Sequence, residues 1–276
     1  MKMKFFVLGL LLTATLPAGA ASIDTVKFFS KLLQREIPSL VIRPARPPQP
    51  QGLPVVYVLH GFGGNYALWE EKVPALTSLA DQYNCLVVCP DGGRMTLYFD
   101  NPIDSNYRFE SWFMGELLPY IETHFPVAHD RQFRAICGNS MGGFGALFLA
   151  SRHPETFSAA GSMSGVLNLE NMAKYSILAK KQVDADCCSI NWKNLGGSLP
   201  VALSIECGRE DYLLAASRAA HNRLDEMGIA HDYTERPGKH EWSYWDNAIR
   251  YQFLFFSQHW EKATGEKESA GKDLSK

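Results

Sequence analysis

No stretch of this chain approaches the ~18 consecutive apolar residues that a membrane-spanning helix needs, so no span is expected in the mature protein. Charge of one sign is also lacking. The 276 residues carry 27 Lys and Arg against 29 Asp and Glu, a formal charge of −2. No run of basic side chains is present to track a phosphate backbone, which argues against nucleic acid as a partner. No spacing of Cys and His reads as a zinc site, so no metal is expected. There is no internal repeat and no sign of a second domain.

Cysteine is sparse, at six residues. Cys85 and Cys89 share one apolar run, C-L-V-V-C. On a strand they face the same side but stand about 13 Å apart at ~3.3 Å per residue, too far to bridge. Cys137 and Cys207 end apolar runs, where a thiol serves as a small buried hydrophobe. Cys187 and Cys188 fall in a polar, irregular stretch. Disulfide connectivity and oligomeric state are left open by the sequence.

What is present begins at the N-terminus. Lys2 and Lys4 precede an apolar run from Phe5 to Leu16, followed by Pro17 and the small residues Ala18-Gly19-Ala20. A positive start, a short apolar middle and an A-x-A end read as a secretory signal peptide over 1–20. The mature chain is then expected near Ala21, in the periplasm or outside the cell.

Apolar residues make up 46% of the chain, enough for one sizeable core. Short β-rich runs alternate with helical ones, which predicts an α/β fold with a mainly parallel sheet and helices on both faces. Strands are expected at Leu40–Ile42 (an edge), Val55–Leu59, Cys85–Cys89, Phe133–Cys137, Phe157–Ala160, Val201–Cys207 and His231–Glu235. Helices are expected at Tyr66–Tyr83, Tyr107–His124, Gly142–Arg152, Leu214–Met227 and Trp242–Trp260. One catalytic domain over 21–262 results, with a cap or long insertion at 166–198 and a polar, disordered tail at 263–276.

Between the strand ending at Cys137 and the next helix stands Gly138-Asn139-Ser140-Met141-Gly142. This is G-x-S-x-G in a strand–turn–helix setting, where the turn lifts Ser140 off the sheet as a nucleophile. The run Val55–Leu59 leads into His60-Gly61-Phe62-Gly63-Gly64, a loop able to donate a backbone N–H to an oxyanion. The Phe62 and Met141 amides are the expected pair. His60 precedes the nucleophile and reads as a scaffold residue.

The base follows the nucleophile in this arrangement, with the acid between them. Of His153, His221, His231, His240 and His259, only His240 lies on a loop between the last strand and the last helix. The acid belongs at the end of Val201–Cys207, where Glu206, Glu210 and Asp211 compete, with Asp184 and Asp186 as outside candidates. Asp211 is preferred, in part on the resemblance that follows. Phe62, Trp69, Trp112, Tyr212 and Trp242 are candidates to wall a substrate pocket.

His60-Gly61-Phe62-Gly63-Gly64, Gly138-Asn139-Ser140-Met141-Gly142-Gly143-Phe144-Gly145, Cys207-Gly208-Arg209-Glu210-Asp211 and His240-Glu241-Trp242 together resemble the esterase D family of α/β-hydrolases. That family includes S-formylglutathione hydrolases, tributyrin-type esterases, and acetyl-xylan and feruloyl esterases. Glu116 to Glu122 is similar to the family as well. The likeness runs from about Leu53 to Trp260. It implies a cofactor-free acyl hydrolase with Ser140, Asp211 and His240 as its triad. Family members often carry a longer β-rich N-terminus, so a sheet without an edge hairpin is expected here. Export separates the chain from cytosolic glutathione conjugates and favours short acyl esters, including acetyl or feruloyl esters of carbohydrates. An S-formylglutathione-hydrolase-like thioesterase and an acyltransferase are the alternatives.

Overall fold

A computed structural model describes residues 19–168, apart from 103 and 105, and residues 189–273. Nearly all of the signal segment, residues 169–188 of the expected cap, Cys187, Cys188, Asp184 and Asp186 lie outside the described residues. Eight strands form one sheet in the order β1-β2-β4-β3-β5-β6-β7-β8. They are β1 (Ser22–Ser30), β2 (Arg35–Arg43), β3 (Val55–Leu59), β4 (Leu86–Pro90), β5 (Arg134–Asn139), β6 (Ala159–Met163), β7 (Ala202–Gly208) and β8 (Asp232–Arg236). From β4 to β8 every neighbouring pair is parallel, whereas β1–β2 and β2–β4 are antiparallel. No helix among the described residues is long and apolar enough to cross a membrane.

The edge hairpin expected to be missing is present. All nine residues of β1 pair with β2, so Leu40–Ile42 belongs to a longer strand inside the sheet. From Ile23 to Ser30 burial along β1 alternates residue by residue, as one covered face requires. Pro38, paired with Lys27, contributes no N–H to the ladder.

Central strands β3 to β6 are buried along their whole length, as parallel strands covered on both faces must be. Alternation splits β3 between two cores. Val55, Tyr57 and Leu59 join one with Trp112, Phe113, Phe148, Phe157 and Leu224. Val56 and Val58 join the other with Trp69, Leu76, Trp245, Phe253 and Phe256.

Helices α1 (Leu68–Lys72) and α2 (Ala75–Tyr83) replace the single helix expected over Tyr66–Tyr83. Pro74 disfavours helical backbone at the residue before it, and Val73 leaves the helix at φ −132°. On the other face α3 (Phe109–Trp112) runs through a π-helical turn, Phe113–Leu117, into α4 (Leu118–His124). Pro119 has no N–H for the carbonyl one turn back, which loosens the local hydrogen-bond ladder. Helix α5 (Met141–Arg152) is buried in every residue but its last, so its Gly and Ala content answers to close packing on all sides. It is followed by α6 (Trp192–Leu195), α7 (Leu214–Glu226) and α8 (Trp242–Asp273). The backbone of α8 stays helical to Asp273, where a disordered tail was expected from 263.

Because β3 to β8 run the same way, the loops after them gather at one sheet edge. Those loops carry His60–Gly64, Asp91, Ser140, Ser164, Asp211 and His240. Ligand sites of open α/β sheets form at this carboxyl edge.

Candidate active site

Ser140 stands between β5 and α5 with φ 54° and ψ −115°, a conformation that a side-chain-bearing residue holds only under constraint. Its neighbours supply that constraint. A Cβ on Gly142 would come within 2.2 Å of the Leu59 carbonyl oxygen, and one on Gly138 within 2.6 Å of the same atom. Glycine at both positions lets the turn close against β3. The Ser140 N–H donates to the Met163 carbonyl at 2.9 Å, and the Ser140 carbonyl accepts from Phe144 and Val166. The nucleophile candidate is therefore tied to β6 as well as to its own helix.

Ser140, His240 and Asp211 form one hydrogen-bonded chain. His240 Nε2 lies 3.0 Å from Ser140 Oγ, while Nδ1 lies 2.9 Å from Asp211 Oδ2 and 3.1 Å from Oδ1. With the ring proton on Nδ1 donated to the carboxylate, Nε2 keeps a lone pair facing the serine hydroxyl. Burial pushes the Asp211 carboxyl upward, but hydrogen bonds from His240, the Leu213 N–H and Ser164 outweigh it and hold Asp211 below the usual carboxylate range. It is thus the anionic member of the chain.

Glu210, the rival acid, turns elsewhere. Its carboxylate accepts from the Gly238 N–H at 2.5 Å, and its own N–H donates to the Gly238 carbonyl at 2.9 Å. This reciprocal pair straps the acid loop to the loop that carries His240. Glu206 is buried, bonded to Gln252 at 2.7 Å and paired with Arg236. Of the three carboxylates, only Asp211 meets the imidazole.

Two supporting residues escaped the reading of the sequence. Ser164, at φ 51° just past β6, is fully buried and helps hold Asp211. Its signal was its place at the same sheet edge, in Ser162-Met163-Ser164-Gly165. Trp245 sets its ring edge-on to His240 at 4.8 Å and backs the imidazole. It follows Trp242 by three residues on α8, spacing that reads only as a buried helix face.

The expected oxyanion donors are open. Met141 is the first residue of α5, so its N–H has no acceptor one turn earlier. No backbone carbonyl among the described residues accepts from the Phe62 or Met141 amide. A Cβ on Gly61 would stand 3.4 Å from Ser140 Cβ, which sets the His60–Gly64 loop directly against the serine. His60 is a scaffold residue in fact. Its Nδ1–H donates to the Gly61 carbonyl at 2.8 Å, and its Nε2 accepts from the Gly92 N–H at 2.9 Å. Burial lowers its pKa and favours this neutral form.

The aromatic candidates divide. Trp69 and Trp112 do not wall a pocket, because both are fully buried and offer no surface to a substrate. Trp69 is fixed by its N–H on the Leu59 carbonyl at 3.0 Å, and Trp112 packs edge-on to Phe109 and Phe113. Tyr212, 74% exposed with its ring 4.6 Å from His240, stands at the rim of the site. Phe62 is also exposed, and half-buried Trp242 packs against Trp69 and Trp245. A groove of about 680 Å³ opens where the Gly63 N–H meets the Arg94 carbonyl, lined by Arg35, Glu36, Asp91, Arg94 and Tyr107 among others.

Against this geometry the comparisons are consistent. A model of the Esterase family matches residues 30–256. An acetyl esterase of Caldicellulosiruptor saccharolyticus is 26% identical over 266 residues, covering 86% of this chain and 98% of the relative. Among solved structures, a ferulic acid esterase superposes with a TM-score of 0.74 at 28% identity, covering 87% of this chain and 99% of its own. An S-formylglutathione hydrolase of Staphylococcus aureus reaches a TM-score of 0.77 at 18% identity, covering 87% and 100%. That last likeness is one of fold.

Proposed function

The chain belongs to the Esterase family of α/β-hydrolases and is a serine carboxylic ester hydrolase, and from that premise we propose that it is an exported enzyme removing short acyl groups, acetyl or feruloyl, from carbohydrate alcohols. The observation that carries the reading is the Ser140–His240–Asp211 hydrogen-bonded chain on a strained strand-to-helix turn.

In the proposed cycle His240 Nε2 takes the Ser140 proton as Oγ attacks the ester carbonyl. Charge developing on the carbonyl oxygen is met by the Phe62 and Met141 amides and by the positive end of α5. His240 returns the proton to the departing alcohol. Water then attacks the acyl-enzyme with His240 again as base, and the acid leaves. Asp211 holds the imidazole in its Nδ1–H tautomer and stabilises the imidazolium. Every step is proton and acyl transfer by side chains of this chain.

The substrate class rests on three supports. One relative is an acetyl esterase and one structural neighbour a ferulic acid esterase. The groove beside the oxyanion loop combines guanidinium, carboxylate and tyrosine side chains with the apolar Ile37, Met95, Leu97 and Phe99, chemistry suited both to hydroxyl groups and to the apolar face of a sugar ring or an aromatic acyl group. The signal-peptide pattern at 1–20 supports export, to where polymeric carbohydrate would be met. The deciding experiment compares nitrophenyl acetate, methyl ferulate and acetylated xylan with purified enzyme and Ser140→Ala. Acid release from the carbohydrate or ferulate ester, abolished in the variant, supports the reading. Hydrolysis confined to aryl acetates would remove the carbohydrate.

A further inference from the structure

Away from the sheet edge that holds Ser140, three chelating side chains converge. His221 and Asp225 lie four residues apart on α7, and His231 stands just before β8, whose far end leads to His240. One donor atom of each lies within 4.8 Å of the other two. His221 Nδ1 is 2.8 Å from His231 Nε2, and His221 Nε2 is 3.5 Å from Asp225 Oδ2.

Hydrogen bonding already sets the tautomers. His231 Nδ1 is 2.8 Å from the Ile229 carbonyl, which accepts but cannot donate, so the ring proton sits on Nδ1 and the Nε2 lone pair faces His221. An imidazole tied through one nitrogen to a backbone carbonyl, with the other aimed at a shared point, is the outer-sphere arrangement of metal-binding histidines. The His221 ring is held in turn by Tyr233, stacked at 4.2 Å and 2° from parallel.

We propose that His221, Asp225 and His231 form a binding site for a zinc-class divalent cation, distinct from the ester-hydrolysing site. The cation takes the place of the hydrogen bond between the two imidazoles, with His231 Nε2 and His221 Nδ1 as nitrogen ligands and the Asp225 carboxylate, 3.5 Å from His221 Nε2, as the outer partner of the His221 ring. Water completes the coordination. The His221 proton moves to Nε2, on the side of Asp225, so neutral rings bind without net proton release. Metal–nitrogen bonds of ~2.0–2.1 Å at a tetrahedral angle separate two nitrogens by about 3.3 Å, so the pair opens by a few tenths of an ångström from its present spacing. All three side chains are partly or fully exposed, which leaves an entry path. A cation here would clamp the C-terminal turn of α7 to the start of β8.

The test is calorimetric titration of chelator-treated full-length protein with Zn²⁺, repeated with His231→Ala and Asp225→Asn. Co²⁺ absorption reports the ligands. Wild type is expected to bind one equivalent and to gain thermal stability with it. His231→Ala should weaken binding at least about tenfold, the lower bound for losing even an outer partner of a metal ligand. Chelator-treated wild type and variants should hydrolyse nitrophenyl acetate equally. Failure of wild type to take up Zn²⁺, or a site of unchanged affinity in His231→Ala, overturns the assignment and leaves a hydrogen-bonded histidine pair. A variant that melts far below chelator-treated wild type is replaced by His231→Gln, read by the same titration.

Discussion

His240 Nε2 rests 3.0 Å from Ser140 Oγ although the two residues are 100 positions apart in the chain. Nothing local produces that contact. It follows from β5 and β8 running parallel within one sheet, so that the turn after each opens at the same edge. The reciprocal bonds between Glu210 and Gly238 then fix the height of the His240 loop over the acid. The straps on this account position the three side chains that react.

The two adjacent carboxylates should separate cleanly by mutation. Asp211→Asn leaves His240 facing an amide and should lower kcat by about four orders of magnitude, the size of effect seen when a triad acid is lost. Glu210→Gln keeps an acceptor for the Gly238 N–H and should cost far less. Steady-state kinetics on nitrophenyl acetate check the ranking, and its reversal would give Glu210 the acid's role.

Ser164 should behave as a positioning residue. Ser164→Ala removes one hydrogen bond to Asp211, a loss of about 1–1.5 kcal/mol, or roughly tenfold in kcat with KM little changed. A pH–rate profile adds a readout that simple destabilisation would not move, because the acid limb should shift when Asp211 is less well held. A Ser164→Ala enzyme with wild-type kcat would remove Ser164 from the account.

Stability in acid should report the same carboxylate. Asp211 titrates below its ordinary value of 3.8 in the folded protein. The unfolded chain therefore takes up this proton first as pH falls. The stabilisation is complete above about 3.8 and is lost as pH drops through the lower folded value. Thermal melts between pH 5 and 3 should show wild type losing more stability than Asp211→Asn. Parallel curves would mean that Asp211 carries no folded-state shift.

Much of the site was legible because its residues sit in local motifs. The G-x-S-x-G turn names Ser140, and position on a loop singles out His240 among five histidines. The aromatic walls were not legible, because burial of Trp69 and Trp112 depends on which helix face meets the sheet. Ser164 and Trp245 escaped because a serine after a strand and a tryptophan on an apolar helix face carry no local mark. The β1–β2 hairpin was missed because the chain before His60 is short for the family it resembles, and because β1 buries only about every second residue.

Acyl length gives a further check on the substrate class. A short acyl group on a sugar alcohol needs no long apolar groove, whereas a lipid-binding pocket would gain about 0.8 kcal/mol for each buried CH₂. For nitrophenyl esters kcat/KM should peak between acetyl and butyryl and fall steeply by octanoyl. A profile still rising at octanoyl would exclude the carbohydrate-ester reading.

The most direct measurement is the mass of the protein after treatment with a fluorophosphonate, followed by peptide mapping. One adduct is predicted, on the peptide that contains Ser140, and none on Ser140→Ala. An unlabelled wild-type protein that is folded, or an adduct on another serine, would contradict the assignment of Ser140 as the nucleophile.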